Sequence, residues 1–369
     1  MISNTYFIPS FGNKPKELVG RSKEINTIIS GLSSPVGSKE RATLITGQRG
    51  YGKTVLLLEL AERAAENGFI TASPTVTSKG MLERIVEKIQ DEGEKYLNAS
   101  DLKLSGGTIG ALGFTVGLQF DRDEQETKSF TYKLSKLCRA LEAKGKGVLI
   151  LVDEVQASSE SLQELIIAYQ ELVGEGRNLA IAMAGLPGAV SSVLNNHVLT
   201  FLNRAGKIEL GPLKDGDIRA YYTEAFSKTG LVVDNDEIEE AVKASMGSPY
   251  MMQLIGYYVT SYAGEDGAVN ADCLNKAINA AGKEFMTDIC KTALNSLSDA
   301  DINFIKAMAV DKDSSKINDI STRLGVSTDY VQRYKRRLID SGIITQERRG
   351  EVKFAVPYLK DYILNSMEA

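Results

Sequence analysis

The sequence predicts an α/β protein: a parallel sheet with helices between its strands, then a small helical region, then a small α+β unit. Three observations lead there. Short apolar runs alternate with helical periodicity up to residue 212, the pattern of parallel strands joined by crossover helices. Residues 214–288 keep the helical period and show no clear strand. Beyond residue 297 a helix pair is followed by two short strand signals. The 369 residues are enough for two or three domains at ~150 residues each. The boundaries read as 1–212, 213–290 and 291–369.

Taken in order, residues 42–46 form a short β-type run that enters a glycine-rich turn. Residues 55–65 then carry apolar side chains at helical spacing. Residues 69–76 read as a strand and 81–89 as a helix. Leu112 to Phe120 alternates strictly, with Leu112, Phe114, Val116, Leu118 and Phe120 on one face. It reads as half of a hairpin with Leu102–Leu104. An extra edge strand packed on the core is favoured over an exposed hairpin that pairs with a partner. Gly147–Val152 is wholly apolar, as suits a central strand covered on both faces. Residues 162–173 are helical, 179–184 a buried strand and 207–210 a short fifth strand.

In the last unit, Ser298 is an N-cap ahead of a helix at 302–309. Lys316–Leu324 and Thr328–Asp340 are helices separated by Gly325-Val326-Ser327, the spacing of a helix-turn-helix. Residues 343–345 and 352–355, around Arg348-Arg349-Gly350, read as a β-hairpin wing.

Composition excludes several classes. There are 43 Lys+Arg against 48 Asp+Glu, so the chain is no polycation. Residues 291–369 carry 13 basic and 11 acidic side chains, a balance that permits nucleic-acid contact by this end without requiring it. No apolar stretch approaches the ~18 residues that cross a bilayer, and the first 20 residues lack a signal-peptide pattern. Neither a membrane role nor secretion is expected, and the cytoplasm is the expected compartment. Cys138, Cys273 and Cys290 are odd in number and far apart, so neither a disulfide framework nor a zinc site follows. His197, the one histidine, has no partner pattern and reads as a loop residue.

The chemistry lies in Gly47-Gln48-Arg49-Gly50-Tyr51-Gly52-Lys53-Thr54, which fits GxxxxGK[ST]. The glycines let successive backbone N–H groups face one anion. The helix that follows adds partial positive charge at its N-terminus. Lys53 is placed to reach the β and γ phosphates, and the Thr54 hydroxyl to ligate Mg²⁺. A second strand, Leu149–Val152, ends in Asp153-Glu154. Asp153 is expected to hold Mg²⁺ through water, and Glu154 to polarise an attacking water. Guanine-specific relatives of such sites use NKxD. Asn275-Lys276-Ala277-Ile278 ends in isoleucine, so ATP is expected rather than GTP.

With these elements in this order, residues 18–369 resemble the AAA+ ATPase superfamily. Leu18-Val19-Gly20-Arg21 looks like the motif before the first core helix, which implies that Val19, Gly20 and Arg21 border the adenine. Residues 179–188 look like the sensor-1 strand, although Ala184-Gly185 stands where many members carry a polar residue. Arg204 lies where the family places an arginine finger, which implies completion of a neighbouring subunit's site. Ser245–Tyr250 resembles the GxP lid motif of the STAND and archaeal-type branches, which implies that Pro249 packs near the base. The layout looks like that of origin-recognition-type initiators with a C-terminal winged helix.

This resemblance implies ATP hydrolysis with Mg²⁺, coupled to conformational change or assembly of a DNA-associated regulator in replication, transposition or mobile-element maintenance. It also implies a nucleotide-dependent homo-oligomer or a protein partner. Arg333, Arg336 and Arg337 on the second helix, with Arg348 and Arg349 on the wing, would touch duplex DNA. The alternative is a STAND-like signalling or defence switch whose winged helix makes protein contacts. A small-molecule kinase is disfavoured, since a long lid and a tail have no role in one.

Overall fold

A computed structural model of the chain describes residues 6–9, 14–73, 80–97, 129–197 and 199–368. The expected hairpin at 102–120 lies outside these residues. The first region contains α1 (Ser22–Leu32), a 3-10 turn at Lys39–Arg41, β1 (Ala42–Gly47), α2 (Lys53–Glu66), β2 (Phe69–Ala72) and α3 (Met81–Gly93). It continues through α4 (Phe130–Glu142), β3 (Gly147–Val152), α5 (Glu160–Gly174), β4 (Leu179–Gly185), α6 (Pro187–Leu194), a 3-10 turn at Thr200–Arg204 and β5 (Gly206–Leu210). The five strands form one parallel sheet in the order β2-β3-β4-β1-β5.

The apolar strands explain the layering. Along β3, Val148, Ile150 and Val152 face a cluster built with α3, α4 and α5. Leu149 and Leu151 face a second cluster built with α1 and α2. β4 divides likewise, with Leu179, Ile181 and Met183 on the first face and Ala180, Ala182 and Ala184 on the second. The alanines present little bulk to the face that carries α2. Both strands are buried throughout, which is why they read as unbroken apolar runs rather than alternating ones.

The chain continues with α7 (Asp215–Lys228), β6 (Val232–Val233), α8 (Asn235–Ser245), α9 (Pro249–Tyr262), β7 (Ala268–Val269), α10 (Ala271–Phe285), a π-helical turn at Met286–Cys290 and α11 (Lys291–Leu294). The helical reading of 214–288 is accurate except for the two-residue parallel pair β6–β7. Next come α12 (Asp299–Ala309), β8 (Ser315–Lys316), α13 (Ile317–Leu324), α14 (Thr328–Asp340), β9 (Ile344–Arg348), β10 (Glu351–Phe354) and α15 (Leu359–Glu368). β8, β10 and β9 make an antiparallel three-stranded sheet. Ser298 closes a capping box with Asp301, and Ser327 caps α14.

One apolar cluster runs from Leu213 through Ile363 and joins the helical region to the C-terminal sheet and helices. Phe7 belongs to it, packed edge-on to Tyr221. The backbone N–H of Ile8 donates to Gln253 Oε1 at 3.0 Å. The segment around Phe7 therefore lies with the helical region, not with the sheet.

Candidate nucleotide site

β1 delivers the glycine-rich loop to the carboxyl edge of the sheet, beside the ends of β4 and β5. From β1 the chain crosses to β2 on one side and later returns to β5 on the other, so the loop sits at a topological switch point. Gly50 and Gly52 have φ of 77° and 82°, which residues with a Cβ rarely adopt. These two turns wrap the loop into the first turn of α2. Lys53 Nζ donates to the carbonyls of Gly47 and Gln48, each at 2.8 Å. Burial lowers the lysine pKa to about 8, against the upward pull of Asp153, and Arg49 pushes it the same way as burial does. The ammonium is thus held inside the loop, where a phosphate would recover its lost solvation.

The acidic pair meets this loop. Thr54 Oγ1 donates to Asp153 Oδ2 at 2.6 Å, and the other carboxylate oxygen accepts the backbone N–H of Glu154 at 2.9 Å. Both oxygens of Asp153 are thereby fixed. Glu154 has φ of 53°, a left-handed conformation uncommon for a residue with a side chain. Its successor holds it there, because Val155 is buried and its N–H bonds Ala184 O at 3.0 Å. Glu154 is left exposed at the edge of the sheet. A hydroxyl and a carboxylate 2.6 Å apart are the hard oxygen donors that Mg²⁺ prefers. Mg²⁺ takes only one or two protein carboxylates beside substrate phosphates. This pair fits that requirement.

Of the other expected site residues, Arg21 and Pro249 reach the same loop, while Gly20 and Val19 lie against the helical region. Arg21 is buried, and its guanidinium donates to Gly211 O at 2.6 Å and Tyr51 O at 3.5 Å. Burial pulls its pKa down. Gly20 turns with φ of 64° against Leu213 and Asp217, and Val19 packs on the helical-region cluster. Pro249 Cγ is 3.8 Å from where a Gly52 Cβ would stand, and Ser248, Phe285 and Tyr250 are in ordinary contact distance, 3.6 to 4.0 Å, of the Gly50 position. The loop is covered from the helical side.

Arg204 is not part of this assembly. It is exposed and precedes β5 by two residues. Gly206 pairs with Thr43 and Leu210 with Gly47, so Arg204 lies at the opposite edge of the sheet, more than ~13 Å from the loop at ~3.3 Å per residue. It does not reach the loop of its own chain.

Sequence reasoning missed a second cover. Gly342 packs directly on Gln48 Oε1, a buried oxygen with no hydrogen-bond partner among the described residues. Gly188, at the start of α6, lies flush against Asp340 at the end of α14. Tyr51 is buried, and its hydroxyl donates to Ala355 O at 3.4 Å. A cleft of about 830 Å³ remains between the loop and the C-terminal region, lined by Gly47, Gln48, Tyr51, Leu210, Phe354 and Tyr358 among others. A glycine two residues after a helix looks in sequence like an ordinary cap, so nothing there signals this contact.

On the C-terminal region, Arg333, Arg336, Arg348 and Arg349 are exposed. Arg337 is exposed as well and also has partners within the chain. Its guanidinium bonds both oxygens of Asp301, which is 1% exposed, and also Ser298 Oγ. It anchors the cap of α12 while its side chain stays about half exposed at 53%. His197 is exposed in a turn, as a loop residue.

Residues 17–182 match the AAA ATPase domain family, and residues 287–363 match a domain of unknown function, DUF8462. The Type 3 secretion system ATPase of Pseudomonas syringae pv. tomato is 26% identical over 225 residues, which is 60% of this chain and 42% of that protein. The chain thus spans less than half the length of that relative. Among solved structures, a Walker-type ATPase of Pyrococcus abyssi superposes with a TM-score of 0.70 at 18% identity, covering 96% of this chain and 99% of that one. The ORC2 protein of Aeropyrum pernix in its ADPNP-ADP complexes gives 0.65 at 15% identity, covering 98% of each. At such identities these two likenesses are of fold. Among the described residues, no helix is long and apolar enough to cross a membrane.

Proposed function

We propose, from the premise that residues 17–182 form an AAA ATPase domain of the P-loop AAA+ class, that the chain hydrolyses ATP with Mg²⁺ and uses the cycle to move its C-terminal region. The observation that carries this reading is the 2.6 Å hydrogen bond between Thr54 and Asp153, with Glu154 fixed immediately beyond it. ADPNP and ADP in the complexes of the Aeropyrum pernix ORC2 protein support an adenine nucleotide. Val19, Gly20, Arg21 and Pro249 would border the base, and the N–H groups from Gly47 to Thr54 would cradle the phosphates.

In this mechanism Lys53 turns from the loop carbonyls to the β and γ phosphates. Glu154 accepts a proton from the attacking water, and Asp153 and Thr54 would hold the metal. Mg²⁺, when bound, would supply charge neutralisation to the phosphates. Arg204, on the far edge of the sheet, would complete the site of a second copy.

The C-terminal helices and sheet are read as a winged helix. DNA contact is assigned to Arg333 and Arg336 on α14, to Arg348 at the end of β9 and to Arg349 in the turn that follows it. The wider role would be that of a DNA-associated regulator acting in the cytoplasm, within residue limits of 1–212, 213–290 and 291–369 for the three units. The test is ATP turnover with and without duplex DNA in wild type and Arg336→Ala. Stimulation present in wild type and lost in the variant supports the DNA role, and turnover indifferent to DNA sinks it.

A second reading rests on a different observation, the seat of the C-terminal region on the loop at Gln48–Gly342 and Gly188–Asp340. It favours a STAND-like switch in which that region holds the site closed until a protein partner releases it. Nucleotide-dependent oligomerisation without any response to DNA would select this reading.

A further inference from the structure

We propose that Arg49 is a catalytic residue supplied by the same chain: its guanidinium reads the terminal phosphate of a nucleoside triphosphate and stabilises the charge that develops as that phosphate is transferred. The proposal rests on the ATPase reading above and assigns Arg49 a task that loop membership alone does not.

The other side chains of the loop are already committed. Gln48 presses Oε1 against Gly342, and that oxygen, though also unpaired, is an acceptor that a phosphate cannot satisfy; Tyr51 is buried with its hydroxyl on Ala355. Gly50 and Gly52 carry the turns and meet Tyr250 and Pro249. Arg49 remains. It has neither a hydrogen bond nor an ion pair to any described residue, and its Nε is sealed from water without a partner. A guanidinium has five N–H donors in a rigid fork suited to phosphate. A sealed donor left unpaired costs ~1–3 kcal/mol, so the conformation is explained if a ligand satisfies it.

Charge leads to the same ligand. Lys53, four residues on, has backbone carbonyls as its hydrogen-bond partners rather than a carboxylate. Two cations therefore share one small loop at the positive end of α2. Like charges this close repel, and a polyanion placed between them removes the repulsion. A triphosphate satisfies this better than a diphosphate, because its terminal group adds charge. Among the described residues, the two positions where such a partner is expected do not supply one. β4 ends in Ala184-Gly185, and Arg204 is on the wrong edge of the sheet.

The transfer balances without a proton on Arg49. The water oxygen bonds to the γ phosphorus while the bond from that phosphorus to the β–γ bridging oxygen breaks. The water proton passes to the Glu154 carboxylate, and the bond's electron pair leaves with the ADP oxygen. Negative charge spreads over the three equatorial oxygens, where an arginine has its effect.

The test compares wild type with Arg49→Ala, Arg49→Lys and the neutral Arg49→Gln, after thermal melting has established that each is folded. ATP·Mg²⁺ and ADP affinities are measured calorimetrically in a Glu154→Gln background, and turnover is measured in the parent background. For Arg49→Ala we expect turnover at saturating ATP to fall ~100-fold or more. ATP affinity should weaken ~10-fold while ADP affinity stays within ~3-fold. Arg49→Lys should fall between, since it keeps the charge and loses the fork, and Arg49→Gln should follow alanine. Equal weakening of ATP and ADP, or turnover within ~3-fold of wild type, would overturn the proposal. If wild type itself shows no turnover, the hydrolysis reading and the transfer role fall together. The ATP-to-ADP affinity ratio then still decides whether Arg49 reads the terminal phosphate.

Discussion

Adding one methyl group at Gly188 should loosen the C-terminal region from the nucleotide site. Gly188 is the second residue of α6, and a Cβ there would overlap the Asp340 carbonyl oxygen and stand 2.5 Å from Asp340 Cβ. Ordinary carbon contacts need ~3.5–4 Å, so α14 must retreat by about 1 Å. Asp340 cannot rotate out of the way, because the obstruction is largely its backbone. Overpacking of this kind costs ~1–3 kcal/mol, which corresponds to a shift of ~5–150-fold in an open–closed equilibrium. Alanine also favours helix over glycine by ~1 kcal/mol, and that gain is kept whether the contact is open or closed. Gly188→Ala should therefore leave α6 intact and weaken the contact alone. Gly216 provides the matched control, since it is the second residue of α7 and has nothing within 4 Å of its would-be Cβ. The assay is hydrogen exchange over residues 328–342, together with the release rate of a fluorescent adenine nucleotide. Gly188→Ala is expected to raise both, and Gly216→Ala neither. Identical behaviour of the two variants would refute a closed seat on the loop.

Thr54→Ala removes the hydroxyl bonded to Asp153; turnover should drop and demand more Mg²⁺ while ADP binding persists, as a magnesium titration would read. Lys53 has its pKa lowered to about 8 from 10.5 by burial. Between those values the unfolded chain holds more protons than the folded one, so this residue makes stability rise with pH across that window and withholds it below pH 8. Lys53→Met should accordingly melt higher than wild type at neutral pH without nucleotide, yet gain nothing from added ATP, in thermal scans at several pH values. Desolvation raises the Asp301 carboxyl, but Arg337 and Ser298 outweigh it and hold the pKa below the usual value. That stability is present above the ordinary Asp range and lost as pH falls through the lowered pKa. Arg337→Ala should lower the melting temperature at neutral pH, lose part of its acid sensitivity and leave any duplex affinity intact, whereas Arg336→Ala should do the reverse.

The nucleotide loop and the acidic strand end were legible because their chemistry dictates residue types at short spacing. Gly47 to Thr54 needs glycines, a lysine and a hydroxyl in order, and Asp153-Glu154 needs only an apolar strand before it. The parallel sheet was legible for a related reason: β3 and β4 are buried on both faces, and burial shows as an unbroken apolar run. What escaped were contacts between distant segments. The Phe7 segment packs with Tyr221 across more than two hundred residues, and Gly342 meets Gln48 across nearly three hundred. Neither pair has a local pattern. Helical periodicity rightly places Arg337 on the outer face, but nothing in the local pattern signals that its long side chain also reaches the cap of α12.

The most direct test of the central claim is single-turnover ATP cleavage by wild type and Glu154→Gln, with nucleotide binding measured in both. The account predicts that both bind ATP·Mg²⁺ comparably, that wild type releases phosphate, and that Glu154→Gln retains uncleaved ATP. Equal cleavage by the two proteins would contradict the assignment of Glu154 as the group that activates water.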